Sequence, residues 1–174
     1  MSNQPSFEAT GLALWSVTKG VYSMSRFFEV VKDEFRQYPN STIKLPQRAT
    51  QHSAGYDIYS PIKTLIKPQK VEHIYTDIKV KCNTDEVFLI FIRSSIGIKY
   101  NCMLCNCVGV IDSDYYNNPD NDGNIIISLY NYGDKTLFIH EGDRIAQGIF
   151  VSYKTIDNDI VSSQRLGGLG STNK

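Results

Sequence analysis

Several short clusters combine residue types that can hold and attack a phosphate chain. In Arg93-Ser94-Ser95-Ile96-Gly97, which follows the apolar run Val87 to Ile92, a guanidinium, two hydroxyls and successive backbone N–H groups can cradle phosphate oxygens. Gly142-Asp143-Arg144-Ile145-Ala146-Gln147 leads from a turn into a strand and offers an amide and a second guanidinium. Arg165, Ser171 and Thr172 lie on a Gly-rich tail, where flexible backbone with hydroxyls and one cation suits a lid over a polyphosphate. In Asn106-Cys107-Val108-Gly109-Val110-Ile111-Asp112-Ser113-Asp114-Tyr115, the period of two puts Asp112 and Asp114 on one face of an extended chain, beside an aromatic ring. Ala54-Gly55-Tyr56-Asp57-Ile58 adds one carboxylate next to a glycine.

Each cluster also has a plain structural reading. Arg93-Ser94-Ser95 can be a polar strand terminus, and Asp112 with Asp114 can cap a turn, which for Asp114 alone is the preferred reading. Asn118, Asp120, Asp122 and Gly123 imitate the first half of a calcium-binding EF-hand loop. Position 12 of that loop would be Leu129 instead of Glu, and the flanks read as strands. A solvated Asn/Asp-rich hairpin loop is expected there. Of the four cysteines, only Cys102 and Cys105 have zinc-knuckle spacing, with no second pair and no nearby His. Free thiols behaving as small buried hydrophobes are expected instead.

The elements that must position these residues are β-strands. Runs at Phe27 to Val31, Val87 to Ile92, Ile125 to Tyr130, Thr136 to Ile139 and Arg144 to Val151 alternate with turn signals such as Tyr38-Pro39-Asn40, Lys67-Pro68 and Gly133-Asp134. That punctuation predicts an all-β sandwich, jelly roll or barrel rather than βαβ units. At 174 residues with 41% hydrophobic content, the chain fits one domain with a single core. Lys plus Arg and Asp plus Glu both number 18, so no global field draws it to nucleic acid or membrane. The longest apolar runs fall well short of the roughly 18 residues of a spanning helix, and no signal peptide is legible. A cytoplasmic protein is expected. Residues 1–25 read as an N-terminal extension of unassigned role, 26–160 as the β domain, and 161–174 as a mobile arm.

Taken in order, AGYD, RSS-x-G, N-x-x-GVIDSDY, GDRIAQ and Arg-x-GG-x-GST resemble the five motifs of the homotrimeric dUTPase family, from about Phe27 to Thr172. The resemblance implies a jelly-roll-like protomer, three active sites at subunit interfaces and a C-terminal arm closing over a neighbour's site. It implies hydrolysis of dUTP to dUMP and pyrophosphate, with Asp112 deprotonating the water that attacks the α-phosphorus. Tyr115 would pack on the deoxyribose. Asn106 and the backbone of Gly109, Val110 and Ile111 would read uracil, with a tight hairpin excluding a thymine methyl. Arg93, Ser94, Ser95 and Gln147 would hold phosphates, joined by Arg165, Ser171 and Thr172 from the arm. Asp57 would support Mg²⁺ through water. Such chemistry needs charge neutralisation and an aligned water more than a covalent nucleophile, so no His/Cys metal cage is expected.

The sequence departs from the family pattern in two places. Leu169 stands where the family usually has a Phe that stacks on uracil, one residue closer to Arg165 than in the commonest form. Stacking is worth about 1–3 kcal/mol per base, so weaker closure is expected. The stretch Tyr116 to Asp122 replaces a single residue and should lengthen a hairpin tip without moving Asp112. Two other functions compete with the hydrolase. A dCTP deaminase shares the fold, but its general-base Glu position is Ser128 here. A dUTP-responsive regulatory module with weak catalysis would use the arm and residues 1–25 to bind a protein partner.

Overall fold

The computed structural model describes residues 25–168. Short runs rich in apolar, β-branched and aromatic residues, cut by turn residues, become strands because each has a face to bury. In chain order these are β1 (Phe27–Val30), β2 (Gln47–Arg48), β3 (Tyr56–Tyr59), β4 (Thr64–Ile66), β5 (Val71–Tyr75) and β6 (Ile78–Lys81). There follow β7 (Glu86–Ile92), the helix α1 (Ser94–Tyr100), β8 (Cys102–Leu104), β9 (Gly109–Asp112), β10 (Ile126–Asn131), β11 (Leu137–Ile139) and β12 (Arg144–Ser152). The largest sheet runs β2-β3-β12-β7-β9, and a second runs β5-β10-β8, with the two-stranded pairs β1-β6 and β4-β11 completing a jelly-roll-like, all-β body.

Alternation is clearest on β10, where Ile127, Leu129 and Asn131 are buried and Ile126, Ser128 and Tyr130 are not fully so. On β12 a register shift between Arg144 and Ala146 turns both Ile145 and Ala146 inward. The core joins Ile58, Ile66, Ile74, Phe88, Ile127 and Leu129. An aromatic group closes one end, with Phe88 centred 5.4 Å from Phe28 and 4.9 Å from Phe150. No helix among the described residues is long and apolar enough to cross a membrane.

Three expectations need correction. Ser94 and Ser95 do not sit on a loop at a strand end but open α1. Gly97 and the β-branched Ile96 and Ile98 disfavour a helix intrinsically, and burial of Ile96 among the core residues overrides that preference. Second, the Asn118 to Asp122 segment is not a hairpin tip, because β9 and β10 lie in different sheets, and it is solvated only at Pro119 and Asp120. Asn118 and Asp122 are buried, and Asp122 Oδ2 accepts from Lys79 Nζ at 2.8 Å and from the Lys32 N–H at 2.9 Å. Its acidic group answers a buried lysine, not calcium. Third, only Cys82 and Cys102 are buried; Cys105 and Cys107 are exposed in the turn around Asn106, and all four thiols are free.

Candidate active site

Two separate groups of side chains emerge, at opposite ends of β7. The first surrounds a cleft of about 130 Å³ between β9 and the β8–β10 sheet, lined by Asn106, Gly109, Val110, Ile111, Tyr115 and Arg165 among others. β9 is the edge strand of its sheet, paired only to β7 among the described residues. An edge strand leaves a row of backbone N–H and C=O groups without strand partners, which suits recognition of a planar polar ring. The turn Cys105 to Val108 is tight, with Cys107 N–H on the Leu104 carbonyl at 3.0 Å and Val108 N–H on the Asn106 carbonyl at 2.6 Å. It is not the tip of a paired hairpin, because β8 pairs with β10 and β9 with β7. The turn is a corner between two sheets.

Asp112 ends β9, and Ser113–Tyr115 form one turn of 3₁₀ helix. Asp112 and Asp114 are therefore not on one extended face, as the period of two would have it. Arg165 brings them together all the same: its Nη2 meets Asp112 Oδ2, and its Nε donates to Asp114 Oδ1 at 2.7 Å. The guanidinium carbon lies 5.9 Å from the centre of the Tyr115 ring. Beside it Gly168 lies so close that a Cβ there would sit 2.7 Å from Tyr115 Cε2. In the single chain, the arm as far as Gly168 thus rests on the chain's own Asp112 and Tyr115. Tyr115 is 9% exposed; burial pushes its hydroxyl above the ordinary range, and it donates to the Asn124 carbonyl at 3.1 Å.

The second group gathers at the far end of β7. Asp57, 4% exposed, receives Arg93 Nε on Oδ1 at 3.1 Å and Arg144 Nη1 on Oδ2 at 3.2 Å. Gln147 stands directly opposite Asp57 in the β3–β12 pairing. Ser94 and Ser95 follow Arg93 at the start of α1. Two guanidiniums on one carboxylate leave surplus positive charge, which favours an anionic ligand.

Register separates the two groups. Asp112 pairs with Val87, at the start of β7, whereas Arg93 lies six residues further on, roughly 20 Å along the strand. One phosphate chain does not span from Arg93 to Asp112 within one copy of the chain. Leu169, Ser171 and Thr172 lie outside the described residues.

Two features of the site were not read from the sequence as binding or positioning elements. Arg144 was seen only as a guanidinium beside Gln147, and its grip on Asp57 depends on strand pairing. Asn121, which carries no sequence signal beyond an amide six residues from an aromatic, donates to the Tyr115 hydroxyl at 2.7 Å.

Among the described residues no three His, Cys, Asp or Glu side chains converge as a metal cage. An ionised carboxylate offers about four lone-pair positions, and the two guanidiniums leave part of Asp57 free to accept from metal-bound water. The donor set would suit a hard cation held mainly by phosphate oxygens, which Asp57 could support only through water, rather than one caged by protein.

The sequence model of the dUTPase family matches residues 41–172. A deoxyuridine 5'-triphosphate nucleotidohydrolase from Lactococcus lactis is 40% identical over 149 residues, covering 84% of this chain and 97% of that protein. The crystal structure of a dUTPase from Streptococcus mutans superposes with a TM-score of 0.66 at 37% identity, covering 75% of this chain and 98% of that one. A point mutant of the dUTPase from phage phi11 of S. aureus shares the fold at a TM-score of 0.60 and 22% identity, covering 80% of this chain and 97% of that one; its structure shows the coordination of a structural Mg(II) ion. The fold is thus the all-β, jelly-roll-like fold of these hydrolase structures. The chain belongs to the dUTPase family.

Proposed function

We propose that the protein hydrolyses dUTP to dUMP and pyrophosphate, with Asp112 as general base. The observation that carries this reading is the position of Asp112: it ends the edge strand whose Gly109, Val110 and Ile111 line the cleft, and Arg165, which lines the cleft with Tyr115, is bound to it. Uracil would pair with the amide of Asn106 and the free edge of Gly109, Val110 and Ile111, while the Tyr115 ring covers the deoxyribose and leaves no room for a 2′-hydroxyl. Asp112 would take the proton of a water as its oxygen attacks the α-phosphorus, and the bond to the bridging oxygen would break to release pyrophosphate. Arg93, Ser94, Ser95 and Gln147 would hold the phosphates, and Arg165, Ser171 and Thr172 would close on them from the arm. Mg²⁺, when bound, supplies charge neutralisation between phosphate oxygens. Asp57 would orient it through water while fixing Arg93 and Arg144.

The separation of the two groups along β7 supports a site built from more than one copy of the chain. Exposed apolar residues, with Val110 58%, Phe138 62% and Ile98 79% exposed, supply surface for association. We take the assembly to be a homotrimer, residues 26–160 as its catalytic body and 161–174 as the closing arm.

Deamination of dCTP is disfavoured at the position of its general base. Ser128 occupies it and meets His73 Nδ1 at 2.7 Å, with no carboxylate present. The test is pyrophosphate release from dUTP with Mg²⁺, wild type against Asp112→Asn. A fall of about 10²–10⁴ in kcat is expected for loss of a general base; equal rates would remove Asp112 from the chemistry. Binding without turnover in the wild type would favour the regulatory reading instead.

A further inference from the structure

The segment Tyr116 to Asp122 closes around Tyr115 from both ends of that residue. Asn121 Nδ2 donates to the Tyr115 hydroxyl at 2.7 Å, and that hydroxyl donates onward to the Asn124 carbonyl at 3.1 Å. At the main chain, Asn118 Nδ2 donates to the Tyr115 carbonyl at 2.9 Å and to Asn121 Oδ1 at 2.7 Å. The orientation of the Asn121 amide is fixed by the Gly123 N–H, which donates to Oδ1 at 3.0 Å. A backbone N–H can only donate, so the nitrogen of that amide is the atom facing Tyr115. Gly123 has φ +87°, and a Cβ there would lie 2.8 Å from the Tyr115 carbonyl oxygen. The loop therefore returns through the one residue type that permits both the angle and the approach.

The loop is itself anchored from outside. Asp122 is held by Lys79 at 2.8 Å and by the Lys32 N–H, Asn117 Oδ1 accepts from Lys79 at 2.6 Å, and Tyr116 donates to Glu29. A buried ion pair of this kind resists displacement, because removing either partner strands the other without solvent.

We propose that Asn121 is a positioning residue that sets the depth of the Tyr115 ring in the cleft and so sharpens the choice of deoxyribose over ribose. This rests on the reading of Tyr115 as the ring covering the sugar. Without Asn121 the hydroxyl keeps one partner, and the ring gains freedom to shift away from its place against Gly168 and open space at the 2′ position.

The experiment compares kcat/KM for dUTP and UTP in the wild type, Asn121→Ala, Tyr115→Phe, the double variant and Tyr115→Ala. Asn121→Ala is expected to reduce the preference for dUTP about three- to tenfold, the scale of one neutral hydrogen bond, with kcat for dUTP nearly unchanged. If Asn121 acts through the hydroxyl, the double variant discriminates no worse than Tyr115→Phe alone. An unchanged preference in Asn121→Ala alongside a lowered Tm would show a purely structural amide and overturn the proposal. Should Asn121→Ala fail to fold, Asn121→Ser and Tyr115→Phe, which keeps the loop intact, carry the same comparison. If Tyr115→Ala leaves discrimination unchanged, the sugar-facing reading of Tyr115 fails. If Tyr115→Ala relaxes it and Asn121→Ala does not, only the role of Asn121 fails.

Discussion

The side-chain amide of Gln147 occupies the space in which a side chain on Gly55 would begin: a Cβ there would lie 2.8 Å from Gln147 Oε1. The obstructed atom is the far end of a flexible side chain, so Gly55→Ala is expected to fold. The Gln147 amide must then move, and with it the phosphate contact proposed for Gln147 would weaken. A hydrogen bond to a charged group is worth about 1.5–3 kcal/mol, so KM for dUTP should rise about ten- to a hundredfold, with Tm within a few degrees of wild type. Steady-state kinetics paired with thermal melting checks this, and an unchanged KM would show that Gln147 does not reach substrate.

Because Asp112 and Arg93 lie at opposite ends of β7, each inactive variant should be able to complement the other. Asp112→Asn and Arg93→Ala chains, unfolded and refolded together in equal amounts, should regain activity in about a quarter of sites if neighbouring chains of a closed oligomer supply the two residues. Each variant refolded alone should stay inactive. A mixture no more active than its components would mean that one chain supplies both groups.

Gly148 lies against the Phe88 ring, and a Cβ there would fall 2.1 Å from Phe88 Cζ. Phe88 is fully buried and hemmed in by Phe28 and Phe150, so it cannot yield cheaply. Gly148→Ala should cost about 1–3 kcal/mol or more through overpacking, read as a lower urea midpoint. A midpoint equal to wild type would mean that the aromatic cluster is looser than its spacings imply.

The Arg26 guanidinium, hydrogen-bonded to Glu86, holds that carboxyl below its ordinary value of 4.5. A carboxyl depressed in the folded state stabilises the fold above its unfolded pKa and loses that contribution as pH falls through the folded value. The Tm difference between wild type and Arg26→Ala should therefore be full at pH 7 and shrink as pH drops below 4.5. Melts from pH 7 to pH 3 measure it; a difference that does not change with pH would rule out the ion pair as its source.

Restoring an aromatic at the arm position of Leu169 should tighten closure on uracil. Leu169→Phe is expected to lower KM for dUTP about tenfold or more, given about 1–3 kcal/mol for stacking one base. An unchanged or higher KM would show that this arm closes by another route.

The main strands of the body, Val87 to Ile92 and Arg144 to Val151 among them, were legible because short apolar runs rich in β-branched and aromatic residues are local features and turn residues mark their ends. The site residues were legible as an ordered set of clusters, since side-chain chemistry at short spacing is a property of the chain itself. Helix α1 was not, because Ser94 to Tyr100 has poor intrinsic preference and its state depends on where Ile96 can bury.

Which residues face one another was decided only by folding. The union of Asp57 with Arg93, Arg144 and Gln147 requires β3 to pair with β12 and β12 with β7, contacts between residues far apart in sequence. The meeting of Arg165 with Asp112, and of Asn121 with the Tyr115 hydroxyl, likewise depends on how loops return over the sheet. Residue types fix what each side chain can do, and long-range strand register, driven by burial of distant apolar faces, fixes what it does it to.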